Sequence, residues 1–163
     1  MLTNELKRWW RSFQNQVPKD LRQKRVKTNI YFDSIELNDS VNVYVPYINI
    51  NNFIYEKFGS FTYKHFSTIF IERILFIEKN ADDTKVYVHV NSNHFEIIVV
   101  EKGKLIIYNT FEYTTKEDFI YYILFTAEQL KLNPESLSLI LIGNVKKDDE
   151  LYNITYKYIR HVS

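Results

Sequence analysis

Apolar and polar positions alternate from Lys85 to Val90, with Val86, Val88 and Val90 on one face, and this predicts a half-buried strand. Asn91-Ser92-Asn93 is turn chemistry, His94–Glu101 reads as a second strand, Lys102-Gly103 turns again, and Lys104–Phe111 is a third, so these segments form antiparallel hairpins. The period then lengthens. Lys116–Lys131 places Phe119, Ile120, Ile123, Leu124, Ala127 and Leu130 at steps of three and four, a helix apolar around much of its circumference and suited to lie on a sheet. Thr114 followed by Glu117 predicts a capping box at its start, and Asn133-Pro134 closes it. Leu137–Ile142 is an unbroken apolar run before Gly143, predicted as a strand buried on both faces. A helical crossover precedes it, so parallel pairing with Lys104–Phe111 is expected. Asp148-Asp149-Glu150 then supply an acidic first turn for a last helix, Glu150–Arg160.

Upstream, the elements are shorter. Asn29–Leu37 and Val41–Tyr47 are β-rich and joined through Asn38, Asp39 and Ser40, with Pro46 at a strand end where no ladder donor is required. Ile50, Phe53, Ile54 and Phe58 follow helical spacing and stop at Gly59, a C-terminal cap. A short strand, Ser60–Lys64, is expected before a helix Ser67–Glu78 capped by Ser67 or Thr68. At the start, Leu2, Leu6, Trp9, Trp10 and Phe13 mark an amphipathic helix that Pro18 ends. Asn80–Thr84 is the most polar break and divides the chain. Residues 1–27 form a basic helix and linker, 28–79 an incomplete first half, and 80–163 a second half. The fold class is α/β with a mixed sheet in the order strand-strand-strand-helix-strand-helix. That order is the unit of ribonuclease H-like and actin-like ATPase folds, a likeness of topology that carries no chemistry.

Composition narrows the function classes. Apolar residues are 45% and charged residues 25% of 163, ordinary for a globular chain, and with only 3 Gly and 3 Pro its loops should be short. The absence of Cys excludes disulfides, thiolate zinc sites and Cys nucleophiles, and suits a reducing cytoplasm. No apolar run nears the roughly 18 residues of a membrane span, and the N-terminus has no signal-peptide core, so the expected location is cytoplasmic. Charge is uneven. Residues 1–27 carry Lys7, Arg8, Arg11, Lys19, Arg22, Lys24, Arg25 and Lys27 against Glu5 and Asp20, a net of +6, and the remainder a net of −5. Such a leader suits nucleic acid or anionic lipid, or a body of opposite charge. Because aromatic stripes generally pack protein, Leu6, Trp9, Trp10 and Phe13 are read as an interaction face that docks on this chain's own body or on a second copy in a homodimer. No nucleic-acid partner is expected.

The stretches Val41–Phe53, Phe58–His65, Tyr108–Tyr122 and Gln129–Pro134, with Gly143 and the segments Glu150–Tyr152 and Tyr158–Arg160, resemble the Bacteroidota domain-of-unknown-function family DUF3822. The resemblance covers roughly residues 41–163. It implies an actin-like ATPase grouping with no established activity. Members are longer, with an N-terminal strand region that Met1–Lys27 does not resemble, so half of any interdomain cleft is expected to lie outside this chain.

Under the actin-like reading, the turn after Val90 would be a phosphate loop, which needs Gly for close backbone approach and a carboxylate for magnesium or water. Asn91, Ser92 and Asn93 stand there, and Gly143 matches where such folds approach adenine and ribose; these four are the candidate nucleotide contacts of the alternative reading. Two-metal nuclease chemistry needs acids on the first and fourth strands, and neither run supplies one. A three-residue turn would set His94 opposite Val90 and His89 opposite Phe95, with Glu96 nearby, an arrangement read as a polar surface rung rather than a metal site. No catalytic residue, cofactor or metal is assigned. The expectation is a non-catalytic interaction or scaffold module; the alternative is a nucleotide-binding subunit whose phosphate site needs a further N-terminal region.

Overall fold

The computed structural model describes residues 30–163, so the predicted leader helix, with Leu6, Trp9, Trp10 and Phe13, lies outside the described residues. In chain order the elements are β1 (Tyr31–Ile35), a 3-10 turn (Glu36–Asn38), β2 (Ser40–Tyr44), α1 (Ile48–Phe58), α2 (Phe66–Glu78), β3 (Thr84–Val90), β4 (His94–Glu101), β5 (Lys104–Glu112), α3 (Lys116–Gln129), β6 (Ser138–Gly143), α4 (Glu150–Tyr158) and β7 (His161–Val162). β1 and β2 form an antiparallel hairpin, and the other strands form one mixed sheet in the order β5-β4-β3-β6-β7. From β3 onward the succession is the predicted strand-strand-strand-helix-strand-helix.

β6 departs from the expected pairing. It runs parallel to β3 and is hydrogen-bonded to it, whereas Lys104–Phe111 is separated from it by β4 and β3. The direction inferred from the crossover holds, because β3 and β5 both run antiparallel to β4. The neighbour differs because β3 buries Val86, Tyr87, Val88 and Val90, as a central strand must, while β5 keeps Lys104, Ile106, Asn109 and Thr110 exposed, as an edge permits. β7, absent from the sequence reading, extends the sheet through hydrogen bonds of Leu141 N–H to Ser163 O (2.9 Å) and Ser163 N–H to Leu139 O (3.0 Å).

Each face of the sheet has its own core. Val86, Val88 and Val90 of β3 and Phe95, Ile97 and Val99 of β4 pack with Phe119, Ile123 and Ala127 of α3, Leu139 and Leu141 of β6, and Ile159. On the other face Tyr87, Ile98 and Val100 meet Phe70, Ile71, Ile74 and Leu75 of α2, together with Ile35 of β1. A strand with both faces covered reads as a near-continuous apolar run, which explains β4. β6 is buried at Leu139 and Leu141 and half-buried at Ile140 and Ile142, less enclosed than its composition suggested.

Other local expectations shift. Ser60–Lys64 forms no strand; the Tyr63 ring packs at a tilt against Phe61 and against Tyr31, so aromatic contact replaces a ladder. His65, not Ser67 or Thr68, caps α2: its side chain accepts the Ser67 N–H. The box that opens α3 is Thr115 with Asp118, one residue beyond the predicted Thr114 and Glu117. Gly59 ends α1 as expected, its N–H donating to Tyr55 O.

Candidate functional site

The carboxyl ends of the parallel strands β3 and β6 meet at one end of the sheet, the position at which open α/β sheets gather ligands. Val90 pairs with Gly143, and the Asn144 N–H donates to the Val90 carbonyl at 2.7 Å. The structure thereby brings the turn Asn91-Ser92-Asn93 and Gly143 to the same place. Gly143 holds φ +91°, and a Cβ there would stand 2.5 Å from Val90 O and 2.9 Å from the His89 ring, so only glycine fits.

The hairpin closes more tightly than predicted. Asn91 N–H donates to His94 O at 2.9 Å, leaving only Ser92 and Asn93 in the loop. A two-residue loop moves the register by one, so His89 faces Glu96 and Val90 faces Phe95. The expected polar surface rung is therefore corrected: the Glu96 side chain is 8% exposed and lies 2.8 Å from His89 Nδ1.

Counting donors fixes the protons in this cluster. The Glu96 carboxylate accepts from His89 Nδ1–H, and from Asn91 Nδ2 at 3.1 Å. His94 Nδ1–H donates to Asn93 Oδ1 at 2.9 Å, which leaves its Nε2 to accept from Asn91 Nδ2 at 3.2 Å. His89 Nε2 retains a lone pair, and the ring packs beside the stacked pair Phe66 and Phe70 at centroid distances of 5.3 and 5.4 Å. A carboxylate-oriented imidazole of this kind can accept a proton. Among the described residues no three His, Asp or Glu side chains are placed to hold a metal ion.

A second polar network ties the β1–β2 hairpin to the start of α2. Asp33 Oδ2 accepts from His65 N–H and from the Thr68 hydroxyl, each at 2.8 Å, while Oδ1 accepts from the Tyr44 hydroxyl at 3.2 Å. Asn42 Nδ2 donates to the hydroxyls of Ser67 and Thr68, both at 2.9 Å. Burial, then the charge of Asp33, pushes the Tyr44 phenol up to about 12. On β5, burial raises the Tyr108 phenol, with the Glu96 charge adding to it and a hydrogen bond with Thr110 opposing. Sequence reasoning placed Glu96 near the two histidines but on a surface rung, and it missed Asp33 and Asn42. The acid inside the otherwise apolar stretch Phe95–Val100 was the signal for a buried Glu96; Asp33 and Asn42 had none, since their partners at the start of α2 lie 25 or more residues away.

Residues 12–162 match the family described as a protein of unknown function, DUF3822. The chain belongs to that family. The match begins inside the basic leader, upstream of the motifs at residue 41 that first suggested it. No curated protein matches the chain. Among solved structures, this DUF3822 chain is similar to a Bacteroides thetaiotaomicron protein with an actin-like ATPase fold and unknown function. The two share 28% identity at a TM-score of 0.75, over 86% of this chain and 55% of that one. This chain thus spans about half the length of its neighbour and has an actin-like fold.

An actin-like ATPase fold implies ATP and magnesium, and the described residues of this DUF3822 chain do not fit its phosphates. The turn that would cradle them has no glycine, and the groups of Asn91 at its start are already engaged. Asn91 N–H is bound to His94 O, Asn91 O accepts from the Tyr113 hydroxyl at 2.6 Å, and the Asn91 amide serves Glu96 and His94. Glu96, the carboxylate bonded to this turn, is held by His89 and Asn91.

Proposed function

We propose that this chain is a cytoplasmic, non-catalytic interaction module that keeps an actin-like scaffold without phosphate-loop chemistry and works by contact with protein, a second copy included. The observation that carries this reading is α1, whose residues are all at least partly exposed: Phe53 is 58% and Phe58 80% exposed. Tyr47, just before the helix, is 77% exposed, and Phe32 of the hairpin is 70% exposed. Isolated helices of this length are marginal in water, and exposed apolar surface beyond the ordinary marks contact sites. Among the described residues no helix is long and apolar enough to cross a membrane. Thermal melting with increasing Mg·ATP tests the reading. The midpoint is expected not to move, whereas a bound nucleotide at 100 times its Kd would add about 2.7 kcal/mol.

A second reading, a nucleotide-binding ATPase-like subunit, is favoured by the convergence of Asn91, Ser92, Asn93 and Gly143 at the strand ends and by the 55% coverage of the neighbour. It places the phosphate site in a further N-terminal region. A clear Mg·ATP shift that disappears when Gly143 is replaced by a larger residue would establish it and remove the first.

A further inference from the structure

Resting on the reading of this chain as an interaction module, we infer that the outer face of α2 is a docking surface for an acidic amphipathic helix of a partner protein.

Residue spacing defines the face. α2 turns Phe70, Ile71, Ile74 and Leu75 into the core against the sheet, and Ser67, Thr68 and Glu78 are buried with them. Its exposed residues are Phe66, Ile69, Arg73, Phe76 and Ile77. They follow one another at steps of three, four, three and one, so they share an arc of about 100° on the opposite side. The four apolar members are each 49–53% exposed. A helix apolar on both sides is the pattern of one that is packed on both sides, and the sheet covers only the first. From Phe66 to Ile77 the stripe runs about 16 Å, the length over which a docked helix sets its own apolar side chains at i, i+3 or i+4, and i+7.

Charge selects the occupant. Both acids of α2 are already matched, Glu72 by Lys64 and Glu78 by Lys85, each at 2.8 Å. The cations of this face are not. Arg73 lies 5.8 Å from the centre of the Phe76 ring and Lys79, at the end of the helix, 4.9 Å from it, and neither forms an ion pair among the described residues. Cation–π contact therefore holds two unmatched positive charges over the apolar stripe. A helix that sets carboxylates beside its apolar positions gains burial and charge pairing at once. A second copy joined face to face would use the same patch twice and bring the cations of both copies together. An anionic membrane would meet a body that carries −5, and the chain's own residues 1–27, at +6, have the wrong sign.

The experiment is fluorescence anisotropy of two labelled synthetic helices of about 18 residues, titrated with the full chain. Each carries a leucine stripe, flanked by glutamates in one and by lysines in the other. The glutamate helix is expected to bind at least about tenfold more tightly than the lysine helix, and the preference should reverse in the double variant Arg73→Glu/Lys79→Glu. The variant Ile69→Ser/Phe76→Ser, changed only at exposed positions, should bind the glutamate helix at least about tenfold more weakly while its melting temperature and far-ultraviolet circular dichroism are retained. Tyr121→Ser on α3 should leave the binding unchanged. Equal affinity for the two helices, binding of neither, or a preference that survives the charge reversal overturns the inference. So does a parent dimer that the Ile69/Phe76 variant turns into a monomer by light scattering, which assigns the face to a second copy. Sedimentation of the parent, but not of that variant, with phosphatidylglycerol vesicles overturns it in favour of a membrane. The interaction-module reading fails separately, on a Mg·ATP shift of the melting midpoint, which leaves the peptide titration untouched.

Discussion

At Gly143 a single added methyl group would meet the Val90 carbonyl oxygen at 2.5 Å and the His89 ring at 2.9 Å, on a backbone at φ +91°. The first contact is with backbone, which cannot rotate away, and the φ value itself disfavours an L side chain. Gly143→Ala is therefore expected to cost about 2 kcal/mol or more, read as a lower urea midpoint at unchanged slope. Tyr44 gives a pH signature. Its phenol is held up to about 12 against the ordinary 10, so the folded state favours the neutral form. The stabilisation is fully present below pH 10 and is lost as pH rises through about 12. Tyr44→Phe removes the hydroxyl bond to Asp33 at a cost of about 0.5 kcal/mol at neutral pH. Between pH 10 and 12 its stability should fall less steeply than that of the parent, measured by urea unfolding at each pH. The residue scale is also where the sequence was least legible. His89, Asn91, His94 and Glu96 are all visible in it, but their bonding depends on whether the turn holds three residues or two, and Asn-Ser-Asn serves either.

Elements were more legible because periodicity accumulates along a segment. β4 spans His94–Glu101 and α1 stops at Gly59, both as the apolar pattern and the glycine predicted. Where the pattern offers two adjacent solutions, it cannot choose. Thr114 with Glu117 and Thr115 with Asp118 are equally good capping boxes in sequence, and backbone angles decide: Thr115 is extended at φ −120°, ψ 160° and serves as the cap. The backbone N–H groups of Thr115 and Thr114 hold the Asp118 carboxyl below its usual range. Thr115→Ala should therefore destabilise the protein by about 1 kcal/mol, while Thr114→Ala should leave the melting temperature nearly unchanged. Equal losses from both would remove the assignment. Ser60–Lys64 and β7 failed for a related reason. The first has strand-forming residues without a partner strand, and the second is a two-residue element created by its partner, β6.

On the scale of the whole molecule, what escaped the sequence was which strands are neighbours. A meander β3-β4-β5 leaves two edges, and a crossover helix can deliver the next strand to either; tertiary burial chooses β3, so that β3 and β4 become central. That choice has a consequence for how stability is distributed. β3 places Val86, Val88 and Val90 in one core and Tyr87 in the other, and β4 divides Phe95, Ile97 and Val99 from Ile98 and Val100 in the same way. Neither strand can open without exposing both cores, whereas α1 contributes no buried residue to either. Native-state hydrogen exchange should therefore show the central amides of β3 and β4 opening only with global unfolding, at the free energy given by denaturant melts. The α1 amides should exchange through a separate, lower-energy opening with little dependence on denaturant, because little surface is released. If α1 instead opened together with β3 and β4, its face would belong to the same cooperative unit as the sheet, and the division into an actin-like body and a separate contact helix would be wrong.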